Sequence, residues 1–371
     1  MRKLGISLYP GKSKEADDLK YIEKAHEYGF SRIFTNLLQI TEENKSEILP
    51  SIKKIIQFAK SLNFEIFVDV APRTFKVLNI ETNDLSFFYE MGVDGIRLDE
   101  GVGAKETSDM TYNPYGIKIE LNMSVMNHYI DNVLDFEPNR NRLVGCHNFY
   151  PHRYAGISEA FFIEGSKKFK HYGLRTAAFV SSKEADFGPW PITEGLPTLE
   201  EHRGLPITSQ AKYLWATGLI DDVIISNCYP SEKELKELSD LIHEPITFDI
   251  KLVGSYTDLE KKIIFEEPHF YRGDVSDYLI RSTQSRVKYK QESFPPHHTV
   301  AIKRGDVLID NDEYGQYKGE LQIALKPMLN TGKVNVVGKI ENHDLQLLDY
   351  LKPWAFFKFK LWERKKKKKY Y

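Results

Sequence analysis

The sequence predicts an α/β protein, a (β/α)8 barrel followed by a small β domain, and three observations carry that reading. Eight apolar strand-like runs alternate with amphipathic helical stretches over roughly 240 residues. A helix-ending signature recurs between them. From about Ile246 the alternation stops, and short β-like runs split by Gly, Pro, Asn and Asp take over.

The eight runs are "LGISLY", "RIFTN", "EIFVDV", "GIRLD", "IKIELN", "LVGCHNF", "RTAAFV" and "DDVIISN". They lack polar alternation, as strands covered on both faces of a parallel sheet do. Eight such units fit a closed barrel better than an open sheet, which would seldom need so many. The signature is a helical run, a Gly and then an apolar residue entering a strand: "HEYGFSRIF", "YEMGVDGIR", "KHYGLRTAA" and "WATGLIDDV". Gly29, Gly92, Gly173 and Gly218 are expected in the left-handed conformation that ends a helix, and Asn63 of "SLNFEIF" in the same role. Ile48, Ile52, Ile55, Ile56, Ala59 and Leu62 fall on one helical face. Ser231 with Glu234 reads as a capping box.

The runs after Ile246 are "ITFDIKLV", "KIIFEE", "HTVAIKRGDVLIDND", "GELQIAL" and "VNVVGKI", about 115 residues that suggest a small closed β-barrel. Domains are therefore expected at 1–243 and 246–362, parted near Pro245, with a basic tail at 363–371 read as a solvated end. A formal net charge of −2 gives no global attraction to nucleic acid or membrane. No run reaches the ~20 apolar residues of a membrane span, and the N-terminal run is too short for a signal peptide, so a cytoplasmic protein is expected. Cys146 and Cys228 lie in apolar runs and read as buried free thiols.

In a (β/α)8 barrel, functional groups gather at the carboxyl ends of the strands. Here those ends carry Tyr9, Asn36, Asp69, Arg97 with Asp99, Glu120 with Asn122, and His147 with Asn148; the last two runs supply only Ser181, Ser182, Ser226 and Asn227. Alternation sets Lys118, Glu120 and Asn122 on one face and pairs Arg97 with Asp99. Ionised groups inside a barrel are costly unless paired or reaching the mouth, and four charged strand ends exceed what packing needs. Several carboxylates with one nearby histidine suit glycoside hydrolysis, which needs an acid for the leaving oxygen. A second carboxylate then attacks, activates water, or steadies a substrate acetamido group. The seventh strand has no carboxylate at its tip, and Glu184 and Glu194 lie further into its loop. His147 and His152 match no familiar metal spacing, "GVGAKE" lacks the third glycine of a dinucleotide fingerprint, and no phosphate loop or serine elbow exists. No cofactor or metal is expected.

The motifs "ISLYP", "DVAP", "GIRLDEG", "IELNMS", "CHNFYPHRYAGIS", "GLPTLEEHR" and "DNDEYGQYKGELQI" together give the chain a family resemblance. Over essentially its whole length it resembles the bacterial 6-phospho-N-acetylmuramidases of the MupG type. The resemblance implies a TIM barrel followed by an all-β cyclophilin-like barrel domain. It also implies an intracellular glycosidase of peptidoglycan recycling that cleaves 6-phospho-N-acetylmuramyl-N-acetylglucosamine. Such a substrate carries a phosphate and a lactyl carboxylate, so Arg73, Arg97, Arg153, Arg203 and Arg281 are candidate anion ligands. Tyr150 and Tyr314 are candidates to stack on sugar faces. Asn36, Asn122, His147, Asn148, Asn311 and Glu320 complete the expected binding set, the residues beyond 246 as a wall of the same pocket.

Roles among the carboxylates rest on strand position alone. Asp99 is the expected nucleophile or acetamido-assisting base, Glu120 the general acid, and Asp69 a partner tuning both. The alternatives are a phosphosugar isomerase or aldolase-type barrel, which would need Lys118 as a Schiff-base lysine or a metal, and a non-catalytic sugar-binding protein. The expected partner is the small-molecule disaccharide, with no nucleic acid or membrane; the number of subunits is not legible.

Overall fold

The computed structural model describes residues 2–185, 187–190 and 194–362. The expected basic tail at 363–371 lies outside them. The chain divides into two compact units, Met1–Ile242 and His243–Tyr371.

In the first unit eight parallel strands close on themselves: β1 (Lys3–Ser7), β2 (Arg32–Asn36), β3 (Glu65–Val70), β4 (Gly95–Leu98), β5 (Lys118–Asn122), β6 (Leu143–Cys146), β7 (Arg175–Val180) and β8 (Asp222–Ile225). The four glycines of the recurring signature all have positive φ, as does Asn63. In four of the five cases the next apolar residue bonds back onto the preceding helix, Phe30 to Ala25, Phe64 to Ala59, Val93 to Phe88 and Leu174 to Phe169. Each of those four side chains is buried, so the device ends the helix and aims the chain into the sheet together. At Gly218 the amide of Leu219 is taken instead by the Thr217 hydroxyl.

Inward positions form layers along the parallel strands. β2 presents Arg32, Phe34 and Asn36 to one side, and β3 presents Glu65, Phe67 and Asp69. At the amino end Glu65 pairs with Lys3 at 2.5 Å and with Lys118. Deeper inside, Arg32 donates to Asp222 at 2.8 Å and to Glu120, and Arg175 also pairs with Asp222. The Arg32 guanidinium lies 4.1 Å above the Phe67 ring. Burial alone would depress Arg32, but Glu120 and Asp222 outweigh that and hold it charged. Phe34, Phe179 and Phe149 then pack edge to face at 4.9–6.0 Å, a layer of rings further along the strands. Cys146 and Cys228 are buried free thiols, as expected.

The second unit is a seven-stranded mixed sheet built from β9 (Ile246–Leu252), β10 (His269–Phe270), β11 (Leu279–Ser282), β12 (Asp306–Asp310), β13 (Leu321–Ala324), β14 (Val334–Ile340) and β15 (Phe356–Leu361). The order is β10-β15-β9-β14-β12-β13-β11, with β9 and β15 parallel and the other pairs antiparallel. The two edges nearly meet, because the Arg272 amide donates to the Arg281 carbonyl at 3.1 Å. The run "KIIFEE", expected as a strand, belongs instead to a helix, Asp258–Glu266. Thr257 and Glu260 form its capping box, and Ile263 and Ile264 bury its apolar face. Cap chemistry outweighed a short apolar run.

Arg32 is the shared cation of two interior carboxylates, so Arg32→Met should cost on the order of 3–5 kcal/mol of unfolding free energy. Denaturant titration of wild type and variant checks this; unchanged stability would show that the network is not needed.

Candidate active site

At the carboxyl end of the barrel one arginine organises the mouth. Arg97, on β4, is buried, and its Nη1 donates to Asp69 Oδ1 at 2.7 Å and to Asp99 Oδ1 at 3.1 Å. Its Nη2 donates to Asn148 Oδ1. Asp69 sits beside Arg97 across the β3–β4 register, and alternation brings Asp99 to the same side. The two carboxylates differ in surroundings: the Asp69 side chain is 8% exposed and that of Asp99 36%. Burial pushes the Asp69 carboxyl up to about 7. Arg97 opposes this, and the charges of Asp99 and Glu120 reinforce it. At neutral pH the mouth therefore holds a carboxyl poised to carry a proton beside a more exposed carboxylate, the arrangement acid–base chemistry requires.

Glu120 does not join this pair. It is fully buried on Arg32, within the interior network, so the expectation that it protonates a leaving group is corrected. Alternation told which face Glu120 occupies but not its depth. Lys118 is at the amino end of β5, paired with Glu65, so it is not the mouth lysine that a Schiff-base barrel was expected to use.

Other expected ligands prove to be braces. His147 is buried between the hydroxyls of Ser124 (3.0 Å) and Ser166 (2.8 Å), and burial followed by Arg97 lowers it to about 3. It is a neutral packing histidine rather than a substrate contact. Asn122 accepts from the Ser124 amide at 2.8 Å, fixing the turn after β5. Arg203 grips Glu200 through Nε and Nη2, both at 2.7 Å, and donates to the carbonyls of Tyr150, His152, Glu194 and Gly195. With its donors engaged, it holds a loop together. Asn36 stays at the end of β2, buried beside Asp69 in register. Arg73 is exposed and reaches the Leu38 carbonyl at 3.3 Å.

A cavity of about 520 Å³ opens beside the end of β7. Arg153, Lys183, Glu194, Glu200, Arg203 and the Ser181–Ser182 pair line it, whereas Asp69 and Asp99 do not. Arg153 is half exposed and holds Glu194 at 3.2 Å, and Lys183 makes no ion pair among the described residues. Sequence reasoning overlooked two features here. Lys183 was hidden in an ordinary loop. Trp190, 49% exposed and 6.0 Å from Phe149, offers an indole face at the barrel end. An exposed Trp amid the prolines of "FGPWPIT" was the available signal.

In the second unit Asn311 is buried in turn bonds to Gly332, Asn335 and Glu313, so it too is a brace. Glu320 is fully buried and pairs with Arg281 at 2.5 Å and Arg286 at 3.1 Å. Tyr314 is exposed and lies edge-on to Tyr317 at 6.0 Å. Nowhere among the described residues is a helix long and apolar enough to cross a membrane.

The sequence profile of the 6-phospho-N-acetylmuramidase N-terminal domain matches residues 4–240, and that of the C-terminal domain matches residues 246–360. The chain belongs to the 6-phospho-N-acetylmuramidase family. Among solved structures it is similar to an uncharacterized protein of B. cereus, at 47% identity and a TM-score of 0.88, over 96% of this chain and 99% of that one. It is also similar to a conserved protein of Enterococcus faecalis with an unknown function, at 27% identity and a TM-score of 0.73, over 97% of this chain and 96% of that one. No functionally curated protein matches it. The family name is that of a glycosidase, in keeping with a carboxyl pair at the mouth.

The raised Asp69 carboxyl has a consequence for stability. Its folded pKa, about 7, exceeds its unfolded value near 3.9, so the folded state holds the extra proton between them. Stability contributed by that proton is complete below about pH 4 and is lost as pH rises toward about 7. Across that window wild type should lose a few kcal/mol relative to Asp69→Asn in denaturant titrations at several pH values. Parallel curves would show an ordinary carboxylate.

Proposed function

We propose that this protein hydrolyses the glycosidic bond of 6-phospho-N-acetylmuramyl-N-acetylglucosamine inside the cell, in peptidoglycan recycling. The observation that carries the reading is the Asp69–Arg97–Asp99 cluster at the barrel mouth of a chain in this family. Asp69 acts as general acid, protonating the leaving oxygen. Asp99 is the partner carboxylate, attacking the anomeric carbon or steadying the acetamido oxygen that attacks it. Once the leaving sugar departs, Asp69 takes a proton from the incoming water, which restores both groups.

Spacing favours such a double displacement. The two oxygens on Arg97 Nη1, at 2.7 and 3.1 Å from it, cannot be further apart than those distances laid end to end. Two carboxyl groups that share one nitrogen are close neighbours, which supports the ~5–5.5 Å spacing of a retaining pair over the ~6.5–9.5 Å of an inverting one. Arg153 and Lys183 in the adjoining cavity are suited to the anionic groups of the substrate, and Trp190 to an apolar sugar face.

Asp69→Asn and Asp99→Asn should each lower turnover of the phosphorylated disaccharide at least about a hundredfold while leaving the fold intact. NMR of the released sugar should show retention at the anomeric carbon. Full turnover by either variant, or an inverted first-formed product, would refute the assignment.

A further inference from the structure

The second unit holds a charge cluster that the barrel chemistry does not use. Arg281, on β11, and Arg286, on the short helix Gln284–Lys288, converge on one buried carboxylate. Arg281 Nε donates to Glu320 Oε1 at 2.5 Å, and Arg286 Nη1 lies 3.1 Å from Glu320 Oε2. Both guanidiniums lie over the Tyr317 ring, at 6.0 and 4.9 Å from its centroid. Two long cations are thus fixed side by side from behind and below.

Charge at the cluster does not balance. Glu320 compensates one guanidinium. Another buried carboxylate that acts on Arg281 is Asp310, at the end of β12, whose Oδ2 accepts from Gln322 at 2.9 Å while Oδ1 has no hydrogen-bond partner among the described residues. Burial, reinforced by Glu320 and opposed by Arg281 and Arg286, pushes the Asp310 carboxyl up to about 8, which disfavours a second negative charge there at neutral pH. Asp274 touches Arg281 only at 3.9 Å, is largely exposed and is held by Arg272 at 2.7 Å. Roughly a quarter of each arginine side chain stays exposed, at 24% and 23%. Among the described residues neither guanidinium makes a further hydrogen bond. Purely structural pairing would need one arginine for one glutamate. Two preorganised planar forks with outward N–H groups are instead suited to a bidentate oxyanion.

We propose that Arg281 and Arg286 form an oxyanion-binding site of the second unit, which takes the phosphate of a phosphomonoester or a carboxylate on their exposed N–H groups. Glu320 and Tyr317 position the pair. The inference does not rest on the glycosidase reading, because the site lies wholly within the second unit and its test reads binding rather than turnover.

Phenylglyoxal, which modifies exposed guanidiniums, gives a readout for each arginine when the full-length protein is digested and its peptides are quantified by mass spectrometry. Millimolar inorganic phosphate, compared with chloride at equal ionic strength, should slow modification of Arg281 and Arg286 several-fold. The exposed Arg140 should react unchanged. Acetate in a parallel arm separates the sources: protection by phosphate alone assigns phosphomonoesters, by acetate alone carboxylates, and by both oxyanions in general. Arg286→Gln should abolish protection of Arg281. Equal modification rates in all three salts at both arginines would overturn the proposal with wild-type protein alone, whatever the variant does, and so would phosphate protection of Arg140 to the same degree.

Discussion

One cation shared between two carboxylates organises the barrel mouth. Arg97 is buried at the end of β4, where an unpaired charge would be prohibitively expensive, and it reaches Asp69 and Asp99 with the same nitrogen. A single guanidinium compensates one negative charge well and two poorly. Burial therefore raises the carboxyl of the group deeper in the wall to about 7, while its partner lies nearer solvent. The proposed division of labour between acid and nucleophile rests on where the two side chains sit relative to water.

The interior beneath supports that division. Arg32 locks Glu120 and Asp222 together, and Phe34, Phe149 and Phe179 fill positions further along the barrel. Charges in the interior network pair with one another and leave Arg97 to the mouth. Rigid packing on this scale holds the carboxyl pair near a fixed spacing, which matters because proton transfer and attack tolerate little misplacement. Loop braces do the same from above. Arg203, His147 and Asn122 spend their donors and acceptors on the Glu200 carboxylate, backbone groups and serine hydroxyls, shaping the walls that Arg153 and Lys183 present.

The barrel was legible in the sequence because its punctuation is local. The left-handed Gly29, Gly92, Gly173, Gly218 and Asn63 mark helix ends by backbone sterics alone, and the strands between them have few alternatives. Depth was not legible. Period-two alternation sorts Lys118, Glu120 and Asn122 onto one face, yet one lies at the amino end, one in the interior and one at the strand's carboxyl end, bonded to the turn that follows. Strand ends named Asp69, Arg97, Asp99 and Glu120 as neighbours and Asn148 as a further strand end, and Glu120 fell away by its depth; which arginine was already taken depended on contacts many residues away, as for Arg203 with Tyr150 and His152. In the second unit the capping box at Thr257 was present in the sequence and decides for a helix over the strand that the apolar run of "KIIFEE" suggests.

The most direct test is the titration of the Asp69 carboxyl itself, followed by carbon NMR in protein labelled at aspartate side chains and assigned by loss of the signal in Asp69→Asn. Unequal burial around a shared Arg97 predicts a midpoint near 7 for Asp69 in the free protein. A midpoint near 4, the value of an ordinary solvated aspartate, would contradict the account, because the mouth would then hold no proton to give at neutral pH.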